Sequence, residues 1–487
     1  MGLSLSLGNA LSGLRSAQTG LDTVSRNIAS AGTEGYARRS VSAVEGTPSG
    51  VRDGAVQRTI DTVVQRQLRR ESAGGAYTAT MATSLQRLDE SFGPPGGSGS
   101  LDTLFNSLTS KLQTLAAEPG NANARAEVAS AAQLLAGGFN SLSADVQSLR
   151  GDAESRLAGA VGEANAALET IDRIETNLAT AGDGNARADL LDERDRQIDR
   201  LAALMDIRVS DRGEGRISIA TANGASLFDG QAAHLDFKAR GTIGPRSLAN
   251  TDPALSGVGQ LRIIDARGGT IDLNANSLRS GEIAGLLTLR DDTLVRAQDR
   301  LDAMAAGIAS ATSETSTSGV MSANPLFIDA GDGVAAQPFT GAGGPVPQQR
   351  GFAARIALNP AIAADPSRLV LGDGITRTGD GTRPQAMLAA LTETSRTISV
   401  GSGSFTGTPG DLLRQSLDAQ AAEAGDAISL DEGQQVVVSS LKERFSESSG
   451  VSVDQELANL VQLQNAYSAN ARIITAVREM LDALMRI

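Results

Sequence analysis

Leu3, Leu7, Ala10, Leu14, Ala17, Leu21, Val24 and Ile28 recur at alternating steps of four and three. At the other end of the chain Leu460, Leu463, Tyr467, Asn470, Ile474, Val477, Leu481 and Leu484 do the same. Such heptad spacing draws one apolar stripe along a helix. Leu11 widens the first stripe, and Leu457 and Ile473 lie alongside the second. Gly32 and Gly35 end the first helix, and Tyr36 to Val41 reads as extended chain. Gly450 precedes the last helix, whose first turn holds Asp454, a carboxylate suited to the positive helix end. A stripe this long is unfavourable in water. Each helix must pair, either with the other terminus or with another subunit.

What lies between is too long for one core. At 487 residues the chain predicts several domains. Apolar residues make up 40% but aromatics only 3%, with no Trp, so the cores are built from Leu, Ile, Val and Ala and are mostly helical. The net charge of −13, from 43 basic and 56 acidic residues, argues against a nucleic-acid partner, which needs a basic face. No basic run exceeds a pair such as Arg38-Arg39 or Arg69-Arg70. The absence of cysteine fits a chain that crosses a membrane unfolded, and equally fits compositional drift. The start, MGLSLSLGNALSGLRSAQ, lacks the basic and apolar regions of a cleaved signal, so export would take a route that leaves the N-terminus intact. No apolar run approaches the length of a membrane span.

Helical periodicity covers Ser84 to Phe92, breaks at GPPGGSGS (Gly93 to Ser100) and resumes from Leu101 to Leu115. AEPGNANAR (Ala117 to Arg125) predicts a turn into a second helix through Arg150. Leu157, Val161, Ala164, Leu168, Ile171 and Leu178 mark a further one, and Arg187 to Met205 another. The interleaved Arg, Asp and Glu of that last helix predict a solvated face laced with ion pairs. From Asp206 to Gly230 the period becomes two, with turns at Gly213 to Gly215 and at Asn223-Gly224, and β character continues from Gly259 to Leu273. Helix returns from about Gly281 to Ser310. Residues 318 to 410 are rich in Gly, Pro, Ser and Thr and predict a loop-rich, β-containing domain, after which helix runs to the end.

Candidate chemistry is sparse. His234, the one histidine, sits in QAAHLDF, a strand-like setting that favours a structural or surface role over catalysis or metal binding. DAGDGV (Asp329 to Val334) and LGDGITRTGDG (Leu371 to Gly381) lack the spacing and the distal Glu of a calcium loop. GPPGGSGS lacks the Lys-Ser/Thr of a phosphate loop. Asp291-Asp292 lies among Arg290 and Arg296 in a polar helical stretch, without the apolar pocket that acid/base work requires. The expectation is no enzyme, no cofactor and no metal.

The ends are the recognisable part. NIASAGTEGYARRSV (Asn27 to Val41) resembles the N-terminal signature of the flagellar rod, hook and hook-associated axial protein family, with its Asn-Ile and Thr-x-Gly-Tyr-x-Arg, although the family's second Asn is replaced. The motif residues are Asn27, Ile28, Gly35 and Tyr36. QELANLVQLQNAY and MLDAL, within Ser449 to Ile487, look like the family's closing helix. Leu115 to Leu142, Leu190 to Ser210 and Gly281 to Asp292 are similar to stretches of its hook-associated members. The resemblance covers residues 1–310 and 410–487 and is weakest between about 318 and 410.

That resemblance implies an α+β multidomain protein. Its terminal helices, disordered in the monomer, would pair as an α-helical coiled-coil core (1–45 plus 450–487). A helical domain (46–205, 281–317 and 410–449), a β-rich subdomain (206–280) and a variable outer domain (318–409) complete it. It further implies export through the flagellar type III apparatus and an extracellular place at the hook–filament junction. The implied partners are other copies in a ring, the hook protein, the second junction protein and an export chaperone. The candidate assembly interface is Leu7, Leu14, Leu21, Val24, Ile28, Leu460, Leu463, Tyr467, Ile474, Val477, Leu481 and Leu484. Two other readings remain: another axial protein, flagellin or the second junction protein, against which Leu190 to Ser210 argues; and an axial-like scaffold carrying a peptidoglycan hydrolase.

Overall fold

The computed structural model describes residues 2–33, 35–45, 51–182, 184–213, 215–313, 324–331, 337–338, 350–371, 375–400 and 403–485. Helix α1 (Gly2–Ala29) leads through the motif loop into an antiparallel hairpin, β1 (Arg39–Glu45) and β2 (Val51–Arg58). Next comes α2 (Thr62–Phe92), two of whose free first-turn amides, Val63 and Val64, are capped by the Asp61 carboxylate. The periodicity predicted only the last third of this helix. Gly74-Gly75 and a threonine-rich run hide the rest, yet the two glycines are what let α2 lie close on a later helix. A Cβ at Gly74 would meet the Gln434 side chain, and one at Gly75 would touch Val438.

After α3 (Leu101–Ala117), Asn121 caps α4 (Ala122–Thr180), a single helix of 59 residues and roughly 90 Å. Two helices meeting near Arg150 were expected. The helix stays unbroken because Val146, Arg150, Ala153 and Leu157 are all buried around that point. Such packing exceeds the cost of about 1 kcal/mol of a mid-helix glycine such as Gly151. Helix α4 therefore serves two cores. Its first half packs Val128, Leu135 and Phe139 with Leu108 and Leu112 of α3, and its second half packs Leu157, Leu168 and Ile171 against α5 (Asn185–Leu204) and the small sheets that follow.

Those sheets are antiparallel and three-stranded: β3 (Ile207–Gly213), β4 (Arg216–Thr221) and β5 (Ser226–Asp229), then β6 (His234–Phe237), β7 (Leu261–Ile264) and β8 (Thr270–Leu273). His234 opens β6 and is exposed. A buried ionic clamp fastens their loops to α4. Glu154 accepts from the amides of Arg240 and Gly259 at 2.8 Å each and from Arg290 at 2.5 Å, while Arg150 donates to the carbonyls of Gly244, Ser247 and Arg290. Burial pushes Arg150 down to about 10, against the pull of Asp291. Arg290 and Asp291 lie in a π-helical turn (Leu289–Thr293) between α6 (Glu282–Thr288) and α7 (Leu294–Ser313). Asp291 pairs with Arg290, and Asp292 with Arg296.

The described part of 318–409 contains β9 (Phe327–Asp329), β10 (Gln337–Pro338), β11 (Ile356–Leu358), α8 (Pro360–Ala364), α9 (Thr382–Thr392), β12 (Arg396–Val400) and β13 (Gly403–Gly407). It is rooted in the helical core. Phe327, Phe352, Ile356, Leu369, Met387 and Leu391 are buried with residues of α3, α4 and α7. Asp302 of α7 accepts from the amides of Gly351 and Ala353, and Asn140 of α4 donates to the Ala353 carbonyl. A capping box of Thr408 and Asp411 then starts α10 (Pro409–Ser449), which runs antiparallel along α2, and α11 (Val453–Met485) follows. No helix among the described residues is long and apolar enough to cross a membrane.

Candidate assembly surface

The first and last helices pair within one chain, antiparallel. Asn27 meets Glu456, Gly20 faces Leu463 and Gly13 faces Asn470, so each heptad step along α1 is matched by one back along α11. On α1 the seam is the row Ala10, Gly13, Ala17, Gly20, Val24 and Asn27, almost all of it buried. These small side chains let α11 approach closely. A Cβ at Gly20 would lie 2.9 Å from a Leu463 methyl, and one at Gly13 would lie 2.8 Å from the Asn470 amide nitrogen. One face of each stripe is thus covered within one chain, by the other terminus, the first of the two pairings that a stripe of this length allows.

The larger apolar residues sit one row aside. Leu7, Leu14, Leu21 and Ile28 are half-buried, as are Leu460 and Ile474, while Tyr467 and Leu481 are exposed. In an antiparallel pair, rows turned in the same sense from the seam fall on the same side, so the two rows form one apolar flank. Leu11, Leu457 and Val461 extend it, at 42%, 49% and 54% exposed. Of the other candidate residues, Val24 and Val477 are buried in the pair and Leu463 sits on Gly20. The Leu484 side chain lies outside the described residues. The sequence marked the stripes but not which row the partner helix would take.

The base of the pair is a polar hub built on the motif. The Asn27 amide donates to the Arg39 carbonyl (2.8 Å) and Glu456 (3.0 Å), and its oxygen accepts from the Tyr36 hydroxyl (2.9 Å) and the Arg39 amide (3.1 Å). All four of its hydrogen-bonding positions are filled. Burial raises the Tyr36 phenol, with Arg39 opposing, which keeps it a donor. The Arg39 guanidinium lies 4.7 Å from the Tyr36 ring. Gly35 adopts a φ of 79°, and a Cβ there would strike the Arg196 side chain.

A ladder of charges ties this hub to the body. Arg39 bridges Asp189 and Asp192 at 2.6 Å each; Arg58 bridges Asp192 (2.7 Å) and Asp195 (2.5 Å); Arg69 bridges Asp195 (3.2 Å) and Asp199 (2.5 Å). The carboxylates recur along one face of α5. The expected solvated face is in this part a buried one, with Asp192 and Arg39 almost fully enclosed. Burial alone would raise Asp195, but Arg58 and Arg69 outweigh it and hold the carboxyl below the usual range. Arg38, Arg39 and Arg69, drawn from the basic pairs that were too few for nucleic acid, turn out to be fasteners. A cleft of about 730 Å³ opens beside the hub, where Arg196, Arg200 and Lys442 face Leu68, Val438 and Phe445.

Comparison with known proteins gives the geometry its context. Residues 85–326 match the family model for the flagellar hook-associated protein FlgK helical domain, and residues 442–487 that for the flagellar basal body rod FlgEFG protein C-terminal region. Flagellar hook-associated protein 1 of Bacillus subtilis is 26% identical over 99% of this chain and 97% of its own length. That of Salmonella typhimurium is 27% identical over 65% of this chain, which spans 57% of the Salmonella protein's length. A solved structure, the flagellar hook junction protein FlgK from Burkholderia pseudomallei, aligns with a TM-score of 0.46 at 26% identity, over 54% of this chain and 46% of that one. The rod-type match ends on the helix that closes the terminal pair, and the FlgK match spans the body to which the hub is bolted. The chain belongs to the FlgK family of flagellar hook-associated proteins, structural components of the flagellar axis.

Proposed function

We propose that this chain is the structural adaptor of the hook–filament junction, exported through the flagellar type III route and polymerised through its terminal helices. The observation that carries the reading is the apolar flank of Leu7, Leu14, Leu21, Ile28, Leu460, Tyr467, Ile474 and Leu481, left partly open after the two helices have already paired. Contiguous exposed apolar surface of this kind marks an interaction site. Stacked in a ring, the flank of one copy would cover that of its neighbours, with hook protein below, the second junction protein beyond and an export chaperone covering it before secretion. In this proposal residues 1–45 and 450–487 form the inner layer, 46–205, 281–317 and 410–449 the body, and 206–280 a side domain. Residues 318–409 form an outward part anchored in the body by the buried residues named above.

Immunogold labelling of isolated hook–filament particles tests the assignment. A narrow band at the boundary between hook and filament is expected. Label along the filament would make the chain a filament subunit instead, and clearing of peptidoglycan in a zymogram would favour a hydrolase on an axial scaffold.

A further inference from the structure

We propose that Asn27 and Glu456 form a register key for the terminal helix pair. The seam on its own specifies register poorly. Ala10-x-x-Gly13 and Ala17-x-x-Gly20 present the same small-residue pattern twice, one heptad apart. If α11 slid by a heptad one way, Leu463 would rest on Gly13, a seat equivalent to its present one on Gly20. The short connector at 450–452 is the rival determinant of register.

What changes on slipping is the polar layer. The Glu456 side chain is 1% exposed and is held by Asn27 at 3.0 Å and Arg38 at 2.8 Å. Slid one way, its carboxylate lands on Gly20 within the seam and loses both partners; slid the other way, Asn27 faces Leu463. A buried ion or amide stripped of its partners is strongly unfavourable, and a single buried polar residue is known to fix helix register in this manner. The key is also fixed relative to the body. The Arg38 amide donates to the Ser449 carbonyl at the end of α10, and Arg39 enters the ladder on α5. Register at the base thereby sets how the apolar rows of α1 and α11 align along the flank. That consequence rests on the junction reading, whereas the key itself rests on contacts within one chain.

The chain has no cysteine, so paired thiols report register cleanly in the full-length monomer. Gly13→Cys with Asn470→Cys reads the native register. Gly13→Cys with Leu463→Cys and Gly20→Cys with Asn470→Cys read the two slipped ones. With Glu456 present, the native pair should oxidise at least about tenfold faster than either slipped pair, the ratio that about 1.4 kcal/mol would give. Glu456→Gln, which can still accept from Asn27, should keep most of that preference. Glu456→Leu should bring the three rates within about threefold. Should Glu456→Leu simply fray the helices, the double variant Asn27→Leu/Glu456→Leu supplies an apolar contact in place of the key, and its rates decide. An unchanged preference in that double variant would assign register to the connector and overturn the key. So would loss of the native cross-link without a rise in the slipped ones. A variant that keeps its register yet builds no junctions bears on the junction reading alone.

Discussion

At the scale of single residues the hub is where substitutions act hardest. Asp192 is 2% exposed and serves both Arg39 and Arg58, so Asp192→Ala takes out the middle of the ladder and leaves Arg39 only the exposed Asp189 and Arg58 only Asp195. Breaking a buried pair in this way costs about 3–5 kcal/mol. The loss should appear as faster hydrogen exchange in β1, β2 and the end of α1, with the second core around Leu168 and Ile219 unchanged; uniform exchange across both regions would contradict the ladder's role. Asp195 gives the hub its pH dependence. Its folded pKa lies below the unfolded value of about 3.9, so its stabilisation is complete above that value and disappears as pH falls through the lowered one. The difference in urea midpoint between this chain and Asp195→Asn should hold steady from neutral pH to about 4 and shrink below it. A difference that already shrinks between pH 7 and 5 would exclude a depressed carboxylate as its source.

At the scale of elements, the outcome turns on volume as much as on hydrophobicity. Heptad spacing made both terminal helices legible, and the strand period with Asn223-Gly224 exposed the first small sheet. The seam was not legible, because the leucine row reads as the stronger stripe while the glycine and alanine row is the one that admits another helix. For the same reason α2 was largely missed: Gly74 and Gly75 read as breakers until Gln434 and Val438 of α10 are seen to fill the space above them. The acidic face of α5 was read as solvated, since nothing local to Asp192, Asp195 and Asp199 announces that Arg39, Arg58 and Arg69 will arrive from far along the chain. The seam invites a graded test. Gly20→Ala adds a methyl that the end of the Leu463 side chain can turn away from, and gains up to about 1 kcal/mol of helix propensity, so it should be close to neutral. Gly20→Leu cannot be accommodated and should force α11 off α1. Exchange protection of residues 460–477 that survives Gly20→Leu would mean the helices do not pack through this row.

At the scale of the whole molecule the terminal pair is the least supported part. Among the described residues the hub end of the pair is braced from outside: the hairpin packs on α1, Asn185 of α5 donates to Asp22, and the Arg38 amide donates to the Ser449 carbonyl of α10. Limited proteolysis should therefore trim the outer halves of both helices first and leave a fragment that keeps Asn27 and Glu456, rather than removing each end entirely. The same division separates folding from assembly. Ile474 lies on the half-open flank, Ala17 in the closed seam at 4% exposed. A carboxylate at Ala17 is buried in the monomer itself, so Ala17→Asp should strip protection from α11 before any second copy is present. In the proposed assembly, a carboxylate at Ile474 stays near water in the monomer and would become buried and unpaired only when a neighbour covers the flank, at a cost of several kcal/mol in every copy. Ile474→Asp should thus leave the melting temperature of the monomer unchanged, yet abolish attachment of filaments to hooks, with flagellin shed into the medium. Export has to be measured alongside, because the flank is also the surface a chaperone would hold. An Ile474→Asp chain that is exported and still carries filaments at normal frequency would show that the open flank is not the surface through which this protein assembles.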